Sequence, residues 1–291
     1  MNTGNLKYQF ARLNIAEKLI ALNVLVFLVN RLVTFLLKLP SNGLVRWMEL
    51  PINMVDFIKQ PWSIITYSFF HGGVGHIFWN MLLLYFSGRI LLNLFDEKRF
   101  INIYSLGVIF GGLLFLLSYN VFPVFSGINA ALIGASAGVT AVLIFVCTYM
   151  PNQIVRIFVF NVKLWHVGVF SVLVDIVQIS NNTNPGGHIS HLGGALLGYI
   201  YARQLTQGRD IGEGFSKFLD SIGNFFKREK KSPLKTVYKK ETSAEKKIKT
   251  NYTQENHQRK IDLILDKISK SGYESLSRDE KDFLFKVGKE D

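Results

Sequence analysis

The residues up to about position 204 fall into apolar stretches, each about as long as a membrane-spanning helix. The six stretches lie near 17–38, 75–95, 100–119, 129–150, 163–180 and 188–204. A helix rises about 1.5 Å per residue, so roughly 20 residues cross the ~30 Å hydrocarbon core of a bilayer. The sequence therefore predicts an all-α, polytopic membrane protein with six transmembrane helices.

Basic residues are distributed unevenly along the chain. Of the 33 lysines and arginines, 21 lie at or after Arg203, and the connections after the third and fifth stretches hold none. Lysine and arginine collect on the cytoplasmic side of a membrane. Both termini are therefore expected in the cytoplasm, and the protein is expected in the bacterial cytoplasmic (inner) membrane.

The chain divides into four predicted segments. Residues 1–16 form a cytoplasmic N-terminal segment, 17–204 a six-helix domain, 205–258 a basic flexible linker, and 259–291 a small helical segment. The formal charge of +12 lies mostly where anionic lipid headgroups would attract it, so the lipid bilayer is the expected partner and nucleic acid is not. A single cysteine, Cys147, excludes a disulfide framework.

Three polar groups interrupt the apolar stretches. They are His71, His76 and Asn80 in "HGGVGHIFWN", Ser136 in "GASAG", and His188 and His191 in "HISHLGGALLG". Counted from the inner ends of their stretches, Asn80, Ser136 and His191 lie at ~22, ~21 and ~20 Å. Polar groups are costly inside a membrane, so their shared depth predicts one functional site.

The chemistry of these residues is complementary. A serine hydroxyl becomes a nucleophile when a base removes its proton, and a neutral imidazole is the usual base. Amide and imidazole donors can stabilise the oxyanion that follows. The alternative role for Ser136 is helix packing. The small residues Gly134 and Gly138 are four positions apart, a spacing that favours close contact between helices. Together with Gly194 and Gly198, they would let the fourth and sixth helices approach closely.

Two other interpretations fit the motifs less well. "GASAG" matches the nucleophile elbow of soluble hydrolases, but that elbow needs a strand before it, where a membrane-length apolar stretch is expected. The histidine spacings occur in metal sites, but no carboxylate or cysteine is expected beside them, so neither metal nor cofactor is predicted. A transporter would need a polar path to the cytoplasmic side, and the inner halves of these stretches offer little of one.

Together, "HGGVGHIFWN", "GASAG" and "HLGGALLG" resemble the rhomboid family of intramembrane serine proteases, over about residues 15–204. The resemblance implies a six-helix rhomboid-like bundle with a Ser136–His191 dyad in a water-filled cavity open to the outer side. It places His76 and Asn80 in the oxyanion hole, gives His71 a weak site-shaping role, and makes "VRWMELPINMVDFIKQPW" a membrane-embedded first loop. The implied partners are transmembrane protein substrates; the oligomeric state is not specified. A proteolytically inactive rhomboid-like binding protein is the alternative.

Two further expectations concern residues outside those motifs. Asp175 is expected near the outer boundary, hydrated or hydrogen-bonded but unpaired with His191, because the family works with a dyad. In the tail, two helical patterns break at Ser271–Gly272, and Ser277 with Glu280 matches a capping box for the second.

Overall fold

The computed structural model of this chain describes residues 4–40, 43–157, 159–181, 184–226 and 258–287. Its contacts separate the chain into two compact units, Met1–Arg228 and Glu229–Asp291. Most of the predicted basic linker lies outside the described residues.

Six helices of the first unit correspond to the six apolar stretches. They are α2 (Ile15–Leu36), α5 (Val74–Leu92), α6 (Glu97–Val121), α7 (Ser136–Tyr149), α8 (Leu164–Ser180) and α9 (Pro185–Thr206). Shorter or flanking helices are α1 (Gly4–Arg12), α3 (Met54–Lys59), α4 (Ser63–Thr66) and α10 (Glu213–Phe226). By length and composition, α2 and α6 could each cross a membrane, and α7 and α8 are shorter apolar helices. Among the described helices only those two pass this test, so the six-span count stays a prediction.

The described chain is mostly helical, in agreement with the all-α prediction, but it also contains two short pairs of strands. Strands β1 (Leu50–Pro51) and β2 (Ala131–Leu132) pair antiparallel, and so do β3 (Ile154–Ile157) and β4 (Phe160–Lys163). The first pair joins the predicted first loop to the segment that precedes α7.

The fourth apolar stretch becomes helical later than predicted. The sequence placed its start near residue 129, whereas α7 begins at Ser136. The apolar side chain of Leu132 is buried in the β1–β2 pair and not in a helix. Gly134 has φ +121°, a left-handed conformation that interrupts a helix. An extended segment therefore leads directly into the helix that starts with the serine.

Helices α7 and α9 pack backbone to backbone at the centre of this unit. A Cβ on Gly194 would overlap the carbonyl oxygen of Ala137, and a Cβ on Gly198 would overlap that of Ala141. The expectation that these two glycines permit close approach agrees with this geometry.

The same expectation is wrong for the two glycines around the serine. A Cβ on Gly138 would lie 2.8 Å from the ring of Tyr104 on α6, so this glycine permits the contact of α7 with α6 instead. Gly134 precedes the helix and faces His76.

Gly198→Ala is expected to destabilise the fold by about 1–3 kcal/mol or more, because a backbone carbonyl cannot rotate away from the added methyl. Gly223→Ala in α10 is the matched control: its Cβ would meet nothing within 4 Å. The thermal unfolding midpoint in detergent micelles should fall for Gly198→Ala alone, and equal midpoints would contradict the packing described.

The second unit contains helix α11, residues 258–271, and helix α12, Arg278–Val287. The predicted break is confirmed: Gly272 has φ +78°. The predicted capping box is also confirmed, because Ser277 N–H donates to Glu280 at 2.7 Å and Glu280 N–H donates to Ser277 Oγ at 3.3 Å.

Candidate active site

Ser136 is the first residue of α7 and is half-buried. Its predecessor Ala135 makes no side-chain capping bond. The first N–H groups of a helix have no carbonyl partner within the helix, and the helix dipole makes this end electropositive. The Ser136 hydroxyl therefore lies beside backbone donors that can stabilise a developing negative charge.

His76 lies in the first turn of α5. Its Nδ1 accepts a hydrogen bond from Gly72 N–H at 3.4 Å, so the proton of the neutral ring is on Nε2. That Nε2 is 2.7 Å from the position that a Cβ on Gly134 would occupy, and Ser136 Oγ is 3.6 Å from the same position. The histidine thus presents an N–H donor to the space beside the serine.

Asn80 lies one turn further along α5 and is buried. Its Nδ2 donates to the carbonyl oxygen of His76 at 2.9 Å. An amide nitrogen carries two hydrogens, so one remains for another acceptor.

His71 precedes α5 and contacts both the residue before Ser136 and the ring of His76. It is buried, and its Nε2 accepts from Ala135 N–H at 3.5 Å. Its ring packs edge-on against that of His76, with centroids 5.1 Å apart. His71 therefore holds both the residue before Ser136 and the ring of the candidate oxyanion donor.

Acidification is expected to destabilise the protein through His71. Burial, followed by the nearby His76, lowers its pKa from 6.5 to about 4. Between these values the unfolded chain binds a proton that the folded chain does not, so stability falls as the pH drops, by about 3 kcal/mol at most. His71→Asn keeps an acceptor for Ala135 N–H and should show a shallower decline of the unfolding midpoint with pH. Parallel declines would assign the acid sensitivity to other groups.

His191 shares a carboxylate with His188. Asp175 Oδ1, on α8, is 2.8 Å from His191 Nδ1 and 2.6 Å from His188 Nδ1. A carboxylate only accepts hydrogen bonds, so each Nδ1 donates. In the neutral ring of His191, Nε2 then carries no proton and can act as a base.

Two sequence-based expectations are wrong here. Asp175 was expected to be unpaired with His191, and no carboxylate was expected beside the histidines. Sequence spacing could not reveal this contact, because it depends on how α8 packs against α9. The available signal was an acidic residue inside an apolar stretch, which is a site candidate by default. The ligand atoms of Asp175, His188 and His191 lie within 4.8 Å of one another, so these three could hold a metal ion.

Ser136 and His191 are brought to neighbouring turns of two touching helices. The backbone of α9 contacts that of α7 where Gly194 meets Ala137. Ala137 directly follows Ser136, and Gly194 lies three residues after His191. Among the described residues, no hydrogen bond joins the Ser136 hydroxyl to His191. Catalytic hydrogen bonds of this kind are often long before substrate binds.

Comparisons with known proteins identify two regions of the chain. The family described as Rhomboid domain matches residues 59–208, and a family of unknown function matches residues 246–289. The first match covers all of α5 to α9 and therefore every candidate site residue.

Curated relatives agree with the first match. The chain is 28% identical to RHOMBOID-like protein 12, mitochondrial, of Arabidopsis thaliana, over 50% of the chain and 47% of the relative. It is also 28% identical to the human presenilin-associated rhomboid-like protein, mitochondrial, over 66% of the chain and 48% of the relative, and to rhomboid-related protein 1 of Caenorhabditis elegans, over 49% and 39%. The chain thus spans about half or less of the length of these relatives. With the rhomboid match covering more than half of its own residues, the chain belongs to the rhomboid family.

Proposed function

We propose that this protein is an intramembrane serine endopeptidase that cleaves transmembrane segments of other membrane proteins near the outer face of the membrane. The observation that carries the proposal is the opposite hydrogen bonding of two histidines near Ser136. His76 accepts at Nδ1 and so carries its proton on Nε2, whereas His191 donates at Nδ1 and so has a free Nε2. One ring is suited to donate to an oxyanion and the other to accept a proton.

The proposed reaction begins with attack of Ser136 Oγ on the scissile carbonyl carbon. His191 Nε2 takes the hydroxyl proton as the new C–O bond forms. The oxyanion receives hydrogen bonds from His76 Nε2–H, from the remaining amide hydrogen of Asn80 and from Ser136 N–H. His191 then gives its proton to the leaving amine, and water releases the acyl group from the serine by the same route.

An apolar outer surface supports placement of the six-helix bundle in a bilayer. Large apolar side chains are exposed on its outer helices, for example Leu25, Leu28, Leu32 and Phe35 on α2, Phe78, Trp79 and Phe86 on α5, and Phe170, Leu173 and Val177 on α8. A patch of this extent is unusual on a soluble monomer but typical of a lipid-facing surface. This surface supports the proposal that the bundle lies in a membrane, and the distribution of lysine and arginine along the sequence supports both termini on one side, proposed to be the cytoplasmic side.

The membrane itself is not assigned. Two of the named relatives are mitochondrial proteins of eukaryotes, so the comparisons give no support to the bacterial inner membrane in particular. The substrate is expected to be a helix whose outer end unwinds easily, because an intact helix keeps its carbonyl groups in internal hydrogen bonds.

Cleavage in reconstituted membranes tests the proposal. The full-length protein is placed in liposomes with a tagged single-span substrate, and wild type is compared with Ser136→Ala and His191→Ala. Cleavage by wild type alone is expected. Substrate that co-purifies with all three forms but is never cut would instead support the inactive binding protein.

A further inference from the structure

Asp175 is a buried acidic side chain on a helix that otherwise exposes apolar residues. It is 6% exposed, while its neighbours Val174 and Ile176 are 40% and 47% exposed. Within the part of the chain that the structure describes, its ionic contacts are with His188 and His191, and none is with lysine or arginine. Burying a carboxylate without a permanent cation is costly, so its position is explained by the histidines that it binds.

We propose that Asp175 is a positioning residue that fixes the tautomer and the ring orientation of His191, an inference that rests on the proposed function. The carboxylate holds the proton on Nδ1, 2.8 Å away, and leaves Nε2 free for the serine hydroxyl. When His191 takes that proton and becomes an imidazolium, the negative charge beside Nδ1 stabilises it. The Ser136–His191 dyad of the family is thereby extended in this chain by a third residue, Asp175, which is hydrogen-bonded to His191.

His188 holds the carboxylate from the other direction. Its Nδ1 donates to the same oxygen, Oδ1, at 2.6 Å, and its ring lies edge-on to that of His191 with centroids 5.3 Å apart. Two donors converging on one oxygen restrict the rotation of the Asp175 side chain. Loss of His188 would leave the His191 hydrogen bond in place, so its effect should be smaller than that of losing the carboxylate.

The distances favour hydrogen bonding over metal binding. Ligand atoms at ~2.0 Å from a tetrahedral zinc ion lie roughly 3.3 Å from one another. The two Nδ1–Oδ1 distances of 2.6 and 2.8 Å are those of charge-assisted hydrogen bonds.

The test compares Asp175→Asn, Asp175→Glu and His188→Gln in the full-length protein, measuring kcat, KM and thermal unfolding. Asp175→Asn should lower kcat by about 10²–10⁴-fold with KM changed less than about threefold, because an amide can donate to Nδ1 and favour the wrong tautomer. Asp175→Glu retains a carboxylate and should keep more activity. The fall in kcat should be at least roughly tenfold smaller for His188→Gln than for Asp175→Asn, which corresponds to a difference of about 1.4 kcal/mol in barrier height. Ser171→Ala, which removes a hydroxyl bonded only within α8, is the control and should match wild type.

The ¹⁵N resonances of the histidine rings report the tautomer without requiring cleavage, with His191 assigned through His191→Gln. We expect an Nδ1-protonated His191 in wild type and the loss of this tautomer in Asp175→Asn. An unchanged tautomer together with a kcat within threefold of wild type in Asp175→Asn would overturn the proposal. Equal losses of kcat in Asp175→Asn and His188→Gln would also overturn it, and so would inactivation of wild type by a chelator. If the tautomer changes but wild type itself never cleaves, the proposed function fails while the orienting role of Asp175 stands.

Discussion

Gly134→Ala is expected to lower the rate of substrate cleavage at least about 100-fold while leaving the protein folded. Two independent features of the residue lead to this expectation. Its φ of +121° is a conformation that costs an alanine about 1–3 kcal/mol. The added methyl would also lie 2.7 Å from His76 Nε2, so the ring must move away from the space beside Ser136. A displacement of about 1 Å at such a donor is enough to cost roughly 100-fold in rate.

Gly75→Ala is the matched control for this substitution. It lies one residue before His76, and its added methyl would meet nothing within 4 Å. Both variants are assayed for kcat and for the thermal unfolding midpoint. Full activity in Gly134→Ala would show that His76 has room to retreat without loss, and the oxyanion role assigned to it would have to be withdrawn.

Removing the donor itself is also expected to have a large effect on the rate. His76→Leu should reduce kcat by about 10²–10³-fold with little change in KM, because the hydrogen bond to the oxyanion forms only in the transition state. Asn80→Ala should reduce kcat by a smaller factor than His76→Leu does. The Asn80 amide already donates to the His76 carbonyl, so it has a single hydrogen to offer and also acts through the position of His76.

The order of these two effects is the informative result. Both variants are compared at saturating substrate and at substrate well below KM, so that binding and chemistry are separated. A larger loss in Asn80→Ala than in His76→Leu would mean that Asn80 is the principal donor. A rise in KM without a fall in kcat would place both residues in substrate binding.

Much of the helical framework could be predicted from hydrophobicity alone. Helix α2 is Ile15–Leu36 where the sequence indicated 17–38, and α8 is Leu164–Ser180 where it indicated 163–180. Apolar runs of this length have few alternatives to a helix, so their positions follow from composition. The start of α7 could not be predicted in this way. Leu132 is buried in a strand, and its apolar side chain would suit burial in a helix equally well.

The contacts of the candidate site could be predicted from the sequence only between residues that lie one turn apart on the same helix. His76 and Asn80 are four residues apart on α5, and the hydrogen bond between them follows from that spacing. Asp175 and His191 lie on two helices joined by a short connection, and no periodicity relates them. Gly134 matched a packing motif in the sequence, but its left-handed φ and its contact with His76 are properties of the folded chain.

Covalent labelling tests the central claim, that Ser136 is a nucleophile activated by His191, most directly. The full-length protein in lipid nanodiscs is treated with a fluorophosphonate, digested, and examined by mass spectrometry for the modified peptide. We expect one adduct on Ser136 in wild type, none in Ser136→Ala, and labelling slowed by about 100-fold or more in His191→Ala. Labelling that persists in Ser136→Ala, or an adduct on a different serine, would contradict the central claim.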